Sequence, residues 1–189
     1  MEFQQAADKL SQALSAKRFQ HSLGVSQAAA ELAARFGADA ETARLTGLLH
    51  DCARAISSNN LLQMAKVFAI VVNDVEQCQP VLLHAPIGAY LAKTEYGVED
   101  PHVFQAITLH TTGGPNMSKL DKIIYLADCI EPNRNYPGVE KLRKLALEDL
   151  DAAMLAAFDQ SLHFIIEQGL LIHPATIEGR NDLIQRQKV

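Results

Sequence analysis

Apolar residues recur along most of this chain at the three-and-four spacing of a helix, and punctuation residues cut the pattern into segments. Leu23, Ala29, Ala30, Ala33 and Phe36 share a helical period, and Gly37 follows as a C-terminal stop. Asp39 is a good N-cap for the next helix, with Glu41 in its first turn, and that helix runs to about Asp51. A shorter helix starts near Ser58 and covers LLQMAKVF. The stretch AIVVNDVEQCQP has the composition of a strand, but Asn73, Asp74 and Pro80 interrupt it, so it reads as a loop with a short helix. From about Leu82 to Tyr96 the period is helical again and ends at Gly97. Asp100 followed by Pro101 is a start signal, cap then first helical position, for a helix reaching about His110. TTGGPNM is a loop. Ser118 with Asp121 three residues on resembles a capping box opening SKLDKIIYLADCI, which Pro132 terminates. EPNRNYPG is a polar loop, and residues 139–168 read as one or two helices ending at Gly169 before a polar tail. No repeat, linker or low-complexity segment divides the chain, so one all-α domain over residues 1–189 is expected.

Composition narrows this picture. At 189 residues the chain can bury a full core without disulfides. Ala and Leu supply most of its apolar content and aromatics are only 6%, which favours packed helices over a β-sandwich. The net charge of −5 argues against a nucleic-acid partner, since phosphate backbones are held by basic surfaces. An anionic small molecule stays open, because a metal ion and a few arginines reverse the local sign. Three cysteines, Cys52, Cys78 and Cys129, without CxxC spacing fit a reduced, cytoplasmic protein. MEFQQAADKL lacks the apolar core of a signal peptide, and the longest apolar run, FAIVV, is far too short to cross a bilayer, so no membrane partner is expected.

The chemistry begins at the adjacent pair His50–Asp51, which closes the run GLLHDCAR. His21, His84, His110 and Asp128 flank it at long range. Imidazole nitrogen and carboxylate oxygen together suit Zn, Fe, Mn or Co. Any one of these six has an ordinary reading as a hydrogen-bonded polar residue in the core. Together they are harder to dismiss, because buried carboxylates are costly unless paired or metal-bound. Asp51 and Asp128 both sit in apolar sequence with no adjacent Lys. Asp121 lies seven residues before Asp128 on a similar face. His102 reads as a solvated first-turn residue and His163, on an apolar helix, as structural.

The order His…His-Asp…Asp resembles the HD superfamily of metal-dependent phosphohydrolases, which are all-helical. TGLLHDCAR, KRFQHSLGVSQAAAELAARFGAD, HAPIGAYLAKTEYG and HTTGGPNMSKLDKIIYLADCIEPNRNYPGVEKLR are similar to the bacterial YqeK-type symmetrical dinucleoside-tetraphosphate hydrolases. The likeness covers about residues 17–145, leaving C-terminal helices over about 139–189; Ala85 stands where Gly is expected. The resemblance implies a first metal site of His21, His50, Asp51 and Asp128, and a possible second of Asp51, His84 and His110, with iron the usual metal. It implies diadenosine tetraphosphate plus water giving two ADP, through a metal-bound water attacking an inner phosphorus. Asp51, His84 and His110 are then the catalytic candidates.

Arg18 lies three residues before His21, Arg54 three after Asp51, and Arg134 just past the Asp128 helix. These are the expected phosphate clamps, because guanidinium forks match phosphate oxygens; ordinary surface arginine is the alternative. Thr111 and Thr112 follow His110 and offer hydroxyls to phosphate or simply end a helix. His173, before Pro174, is a candidate wall of the nucleoside pocket. Cys52 and Cys129 follow ligand candidates and read as packing residues, oxidation near a metal being the other possibility. Three rivals stay open: an HD-type phosphatase or phosphodiesterase of another nucleotide, a nucleotide-binding regulator without turnover, and a purely structural helical protein. A monomer or a homodimer fits equally.

Overall fold

The computed structural model describes residues 2–187, so Met1 and residues 188–189 of the expected domain lie outside it. Among the described residues there are eleven α-helices and no strand: α1 (Phe3–Ala13), α2 (Ala16–Phe36), α3 (Ala40–Leu49), α4 (Ser58–Val67), α5 (Asp74–Cys78), α6 (His84–Tyr96), α7 (Pro101–Leu109), α8 (Lys119–Ile130), α9 (Val139–Glu148), α10 (Leu150–Glu167) and α11 (Pro174–Gln187). A 3₁₀ turn over Pro80–Leu83 leads into α6.

Local chemistry sets most of the boundaries. Asp39, Ser57, Asp100 and Ser118 each cap the following helix by accepting a backbone N–H, and Gly37 and Gly97 close α2 and α6 in the left-handed conformation. Ser118 and Asp121 form the expected capping box. Asp121 is fully buried there; its Oδ2 accepts from the Ser118 backbone N–H at 2.7 Å and from Gln105 Nε2 at 2.6 Å, and among the described residues it belongs to no group of converging metal donors.

The long α2 is the axis of the bundle. Helices α3 and α8 pack along it, and α7 closes over both. Gly47 of α3 faces the α2 backbone so closely that an added Cβ would stand 2.9 Å from Ser26 Cα. Close approach of two helix backbones needs a residue without a side chain at the crossing. The largest apolar cluster joins α2, α8 and α10 through Leu32, Ile123, Ile124, Leu126 and Phe158. A second joins α1, α3, α6 and α7, and a third holds α4 against α6.

Two terminal segments complete the bundle. The N-terminal stretch is a helix, α1, held by the buried Ala6, Ala7 and Leu10. The polar tail is also a helix, α11, docked on the TTGGPN loop. Thr176 Oγ1 donates to the Thr112 carbonyl at 2.8 Å, and Leu183 is buried. The attachment is mostly polar, which is why hydrophobic periodicity does not announce it.

Candidate metal centre

The six candidate side chains converge at one place, where the ends of α3, α7 and the 3₁₀ turn meet α2 and α8. Three of the histidines get there by the same device. His50, His84 and His110 each follow the last residue of a helical segment, and each ring Nδ1 meets the carbonyl three residues back: Gly47 and Ile107 at 2.7 Å for His50 and His110, and Val81 for His84. A carbonyl can only accept. Nδ1 therefore carries the hydrogen, and Nε2 presents a lone pair to the common space. His21 comes from inside α2 and is oriented differently. Its Nδ1 lies 3.2 Å from Oε1 of Glu131, and its Nε2 lies 3.0 Å from Oδ1 of Asp128.

Glu131 is the residue that sequence reasoning missed. It sits at the start of a loop that reads as polar, yet it is 2% exposed, and its Oε2 accepts from the backbone and side-chain amides of Asn133 at 2.7 and 3.1 Å. Gly24, one turn after His21, makes room for it: a Cβ there would stand 2.5 Å from Oε2. A glycine inside a helix one turn past a ligand candidate was the available signal.

The donors overlap in three groups whose atoms lie within 4.8 Å of one another: His21–His50–Asp51, His50–His110–Asp128 and Asp51–His84–His110. All are buried except Asp128, which is half-buried. Several contacts make poor sense without a shared cation. Nε2 of His84 and Nε2 of His110 are 3.1 Å apart, and Asp51 Oδ1 is 3.1 and 3.6 Å from them. Nε2 of His50 and of His21 are buried without a hydrogen-bond partner; the short His21–Asp128 contact does not have hydrogen-bond geometry. Lone pairs aimed at each other and at carboxylate oxygens need a proton or a metal between them. The mixed imidazole and carboxylate set fits a divalent transition ion.

The electrostatics follow from burial and these neighbours. Burial pushes the His50 imidazolium down to about 4, keeping that ring neutral. Burial alone would raise the carboxyls of Asp51 and Asp128, but the surrounding imidazoles outweigh it and hold both well below the usual carboxylate range. His21 and His110 move the other way, because their carboxylate neighbours overcome the opposing effect of burial.

Two of the three candidate arginines reach the cluster. Arg18 Nη1 pairs with Asp51 Oδ2 at 3.0 Å, and Arg134 pairs with the Asp128 carboxylate and its backbone carbonyl. No ion pair or hydrogen bond ties Arg54 to the cluster among the described residues. Thr111 Oγ1 lies 3.0 and 3.2 Å from Nε2 of His110 and His84, inside the site. Thr112 instead turns its hydroxyl to the Gly113 carbonyl at 3.1 Å.

His173 is 2.8 Å from Asn73 Nδ2 and 3.6 Å from Glu76, fastening the segment before α11 to α5. His102 is exposed, as expected. His163 is exposed rather than structural: it lies on the outer face of α10, so the apolar run around it does not bury it. Cys52 is buried, with Sγ 3.3 Å from the Gly88 carbonyl, and burial pushes the thiols of Cys52 and Cys129 up to about 12.

Residues 18–133, which hold all six donors, match the model of the HD domain. The chain belongs to the HD-domain family. The match extends well beyond the motif. The chain is 42% identical over 175 residues to a protein of Halalkalibacterium halodurans named symmetrical bis(5'-nucleosyl)-tetraphosphatase, covering 93% of each. A Bacillus subtilis protein of the same name is 37% identical, over 97% of this chain and 98% of that one. The fold superposes with a TM-score of 0.96 on a crystal structure from Clostridium acetobutylicum, described as a predicted HD superfamily hydrolase involved in NAD metabolism. That protein is 43% identical, and the match covers 98% of both chains. For this HD-domain chain the family and the donor cluster together support binding of a divalent metal. Among its described residues, no helix is long and apolar enough to cross a membrane.

Proposed function

We propose that this chain hydrolyses dinucleoside tetraphosphates, diadenosine tetraphosphate foremost, symmetrically to two nucleoside diphosphates. The observation that carries the reading is the convergence of three overlapping imidazole–carboxylate donor groups, in a chain that aligns end to end with proteins named for this reaction. His21, His50, Asp51 and Asp128 are assigned to the first metal, and Asp51, His84 and His110 to a second cationic position. Iron is the expected metal, and Mn, Co or Zn can use the same donors. When bound, a divalent ion neutralises phosphate charge and brings a water molecule close to hydroxide at neutral pH.

The chain's own residues supply the rest. Water oxygen bonds to an inner phosphorus, the link from that phosphorus to the central bridging oxygen breaks, and the departing diphosphate keeps the bridging oxygen and its electron pair. His84 and His110, with Nδ1 fixed as donor and Nε2 facing the site, are placed to hold and move the proton. Arg18 and Arg134 neutralise Asp51 and Asp128 yet remain partly open to solvent, with side chains 40% and 37% exposed. Each guanidinium has donors left for phosphate oxygens. Thr111 adds a hydroxyl between the two imidazoles. A site that seats one nucleoside diphosphate and presents its terminal phosphorus to the donors cuts the tetraphosphate at its centre. Adenine preference rests on the family resemblance, and cysteine use supports a cytoplasmic location.

The test is product identification after turnover of diadenosine tetraphosphate by metal-loaded protein. ADP as sole product supports the reading. AMP with ATP, or released inorganic phosphate, overturns it in favour of another nucleotide phosphohydrolase, and bound nucleotide with no turnover favours a regulator.

A further inference from the structure

Helix α8 carries Asp128 and stops two residues later, at Ile130. The last four carbonyls of a helix lack the N–H groups of a following turn. The Ala127 carbonyl is still served, by the Glu131 N–H at 3.0 Å. Pro132 has no N–H to offer the Asp128 carbonyl, which accepts from Arg134 Nε at 2.8 Å instead. The Cys129 carbonyl accepts from the Tyr136 hydroxyl at 3.0 Å. The Ile130 carbonyl is met from a different helix, by Nε of Arg143 in α9 at 2.9 Å.

The same guanidinium continues into the loop. Arg143 Nη2 donates to the Glu131 carbonyl and to the Arg134 carbonyl, both at 2.8 Å. Those two residues are the ends of a turn that the Arg134 N–H closes onto the Glu131 carbonyl at 2.9 Å. They are also the loop residues that reach the donors: Glu131 Oε1 faces Nδ1 of His21, and Arg134 pairs with Asp128. Arg143 itself makes no hydrogen bond to any of the six donor side chains among the described residues. Its support is firm, because Val139, Leu142 and Ala146 are buried and seat α9 on the core, while Glu140 pairs with Nη1. Three carbonyls are served from two separate nitrogens of a planar fork; an ammonium gathers its acceptors around a single nitrogen and does not reproduce that spread.

We propose that Arg143 is a positioning residue of the metal centre: by clamping the 131–134 turn to the end of α8, it holds Glu131 against His21 and Arg134 against Asp128. The assignment rests on the cluster binding a divalent metal, whichever nucleotide is cut.

The test is a manganese(II) binding isotherm on metal-free wild type, Arg143→Ala, Arg143→Lys and Lys122→Met, with circular dichroism to verify the fold. Lys122 ties α8 to Asp151 at 2.5 Å, away from the loop, so its variant loses a tether of the same helix without touching the clamp. Removal of a group that orients a ligand lowers metal affinity roughly ten-fold or more. That loss is expected in Arg143→Ala and in Arg143→Lys, with Lys122→Met binding as wild type does. Arg143 lines a cavity of about 350 Å³ between α2, the end of α8 and α9, so a small soluble guanidinium has access to the vacated place. Methylguanidinium should therefore restore affinity to Arg143→Ala, and methylammonium should not. In a Glu131→Gln background, Arg143→Ala should cost less than it does alone, since both act on His21. Wild-type affinity in either folded Arg143 variant, an equal loss in Lys122→Met, or full additivity with Glu131→Gln overturns the clamp. If Arg143→Ala does not fold, Arg143→Lys carries the same comparison. Wild type that binds manganese while the Arg143 variants match it removes the clamp alone; wild type that binds no divalent metal removes the metal reading and the clamp with it.

Discussion

Glu131→Gln is the substitution that most sharply separates a metal-binding role of the cluster from simple core packing. The side chain keeps its shape, so no cavity opens. Its two oxygens, however, each meet donors: Oε1 meets His21 Nδ1 at 3.2 Å, and Oε2 accepts from Asn133 at 2.7 and 3.1 Å. Glutamine has one oxygen, so its NH₂ must face either the imidazole N–H or the Asn133 amides. A buried donor left facing a donor costs about 1–3 kcal/mol. Facing the NH₂ to the single imidazole N–H costs less than facing it to both Asn133 donors, so the conflict falls on His21 and the ring loses the partner that fixes its orientation. Removing such an orienting group typically lowers metal affinity about 10–100-fold, or roughly 1.4–2.7 kcal/mol. Gly24→Ala attacks the same contact from the other side, because its Cβ would stand 2.5 Å from Glu131 Oε2. The assay is a metal-binding isotherm on metal-free protein for both single variants and the double, with circular dichroism to verify the fold. Both singles should weaken binding, and the double should weaken it by less than their sum, since they break one contact. Unchanged affinity in folded Glu131→Gln, or strict additivity, would refute the reasoning.

Further outcomes follow from other residues. Asp51 belongs to two of the three donor groups, so Asp51→Ala should abolish bound metal and turnover together; elemental analysis showing retained metal with full turnover would contradict its assignment. With their thiols near 12, Cys52 and Cys129 are thiolate at only about one part in 10⁴ at pH 8. Iodoacetamide should therefore add rapidly once, at the exposed Cys78, and mass spectrometry finding two or three fast adducts would count against the raised thiols of the half-buried Cys129 and the buried Cys52. In the metal-free protein, His50 binds its proton near 4 when folded and near 6.5 when unfolded. As pH falls through that window the unfolded state binds more protons, so stability decreases, by on the order of 3 kcal/mol for this group. Denaturation of His50→Gln should show a shallower loss between pH 6.5 and 4 than wild type; equal slopes would contradict a neutral buried imidazole.

The sequence was most informative where one residue fixes one boundary. Asp39, the Asp100–Pro101 pair and the Ser118–Asp121 box mark helix starts by hydrogen bonds local in sequence, and these are the starts observed. The histidines at helix ends were legible for a related reason: a ring just past the last turn can donate to a carbonyl of that turn and point its other nitrogen onward. Long-range pairing was less legible. Glu131 looks like part of a solvated loop until α2 is laid against it, and only Gly24 hints at the contact. Arg18 and Arg134 were placed as phosphate clamps, but their carboxylate partners are set by the folded cluster. α11 buries too few apolar side chains to show a period; it docks through Thr176, Leu183 and the close approach of Gly179 to Gly114, a polar and steric fit that composition does not encode.

The central claim is that His21, His50, Asp51 and Asp128 hold one divalent ion. Anomalous diffraction from crystals of metal-loaded protein, recorded on both sides of the absorption edge of the loaded metal, tests it most directly. A peak bonded to Nε2 of His21 and of His50 and to both carboxylates, at about 2.0–2.2 Å, is the result expected. A peak elsewhere on the chain, with those four side chains still paired only to one another and to Arg18 and Arg134, would contradict it.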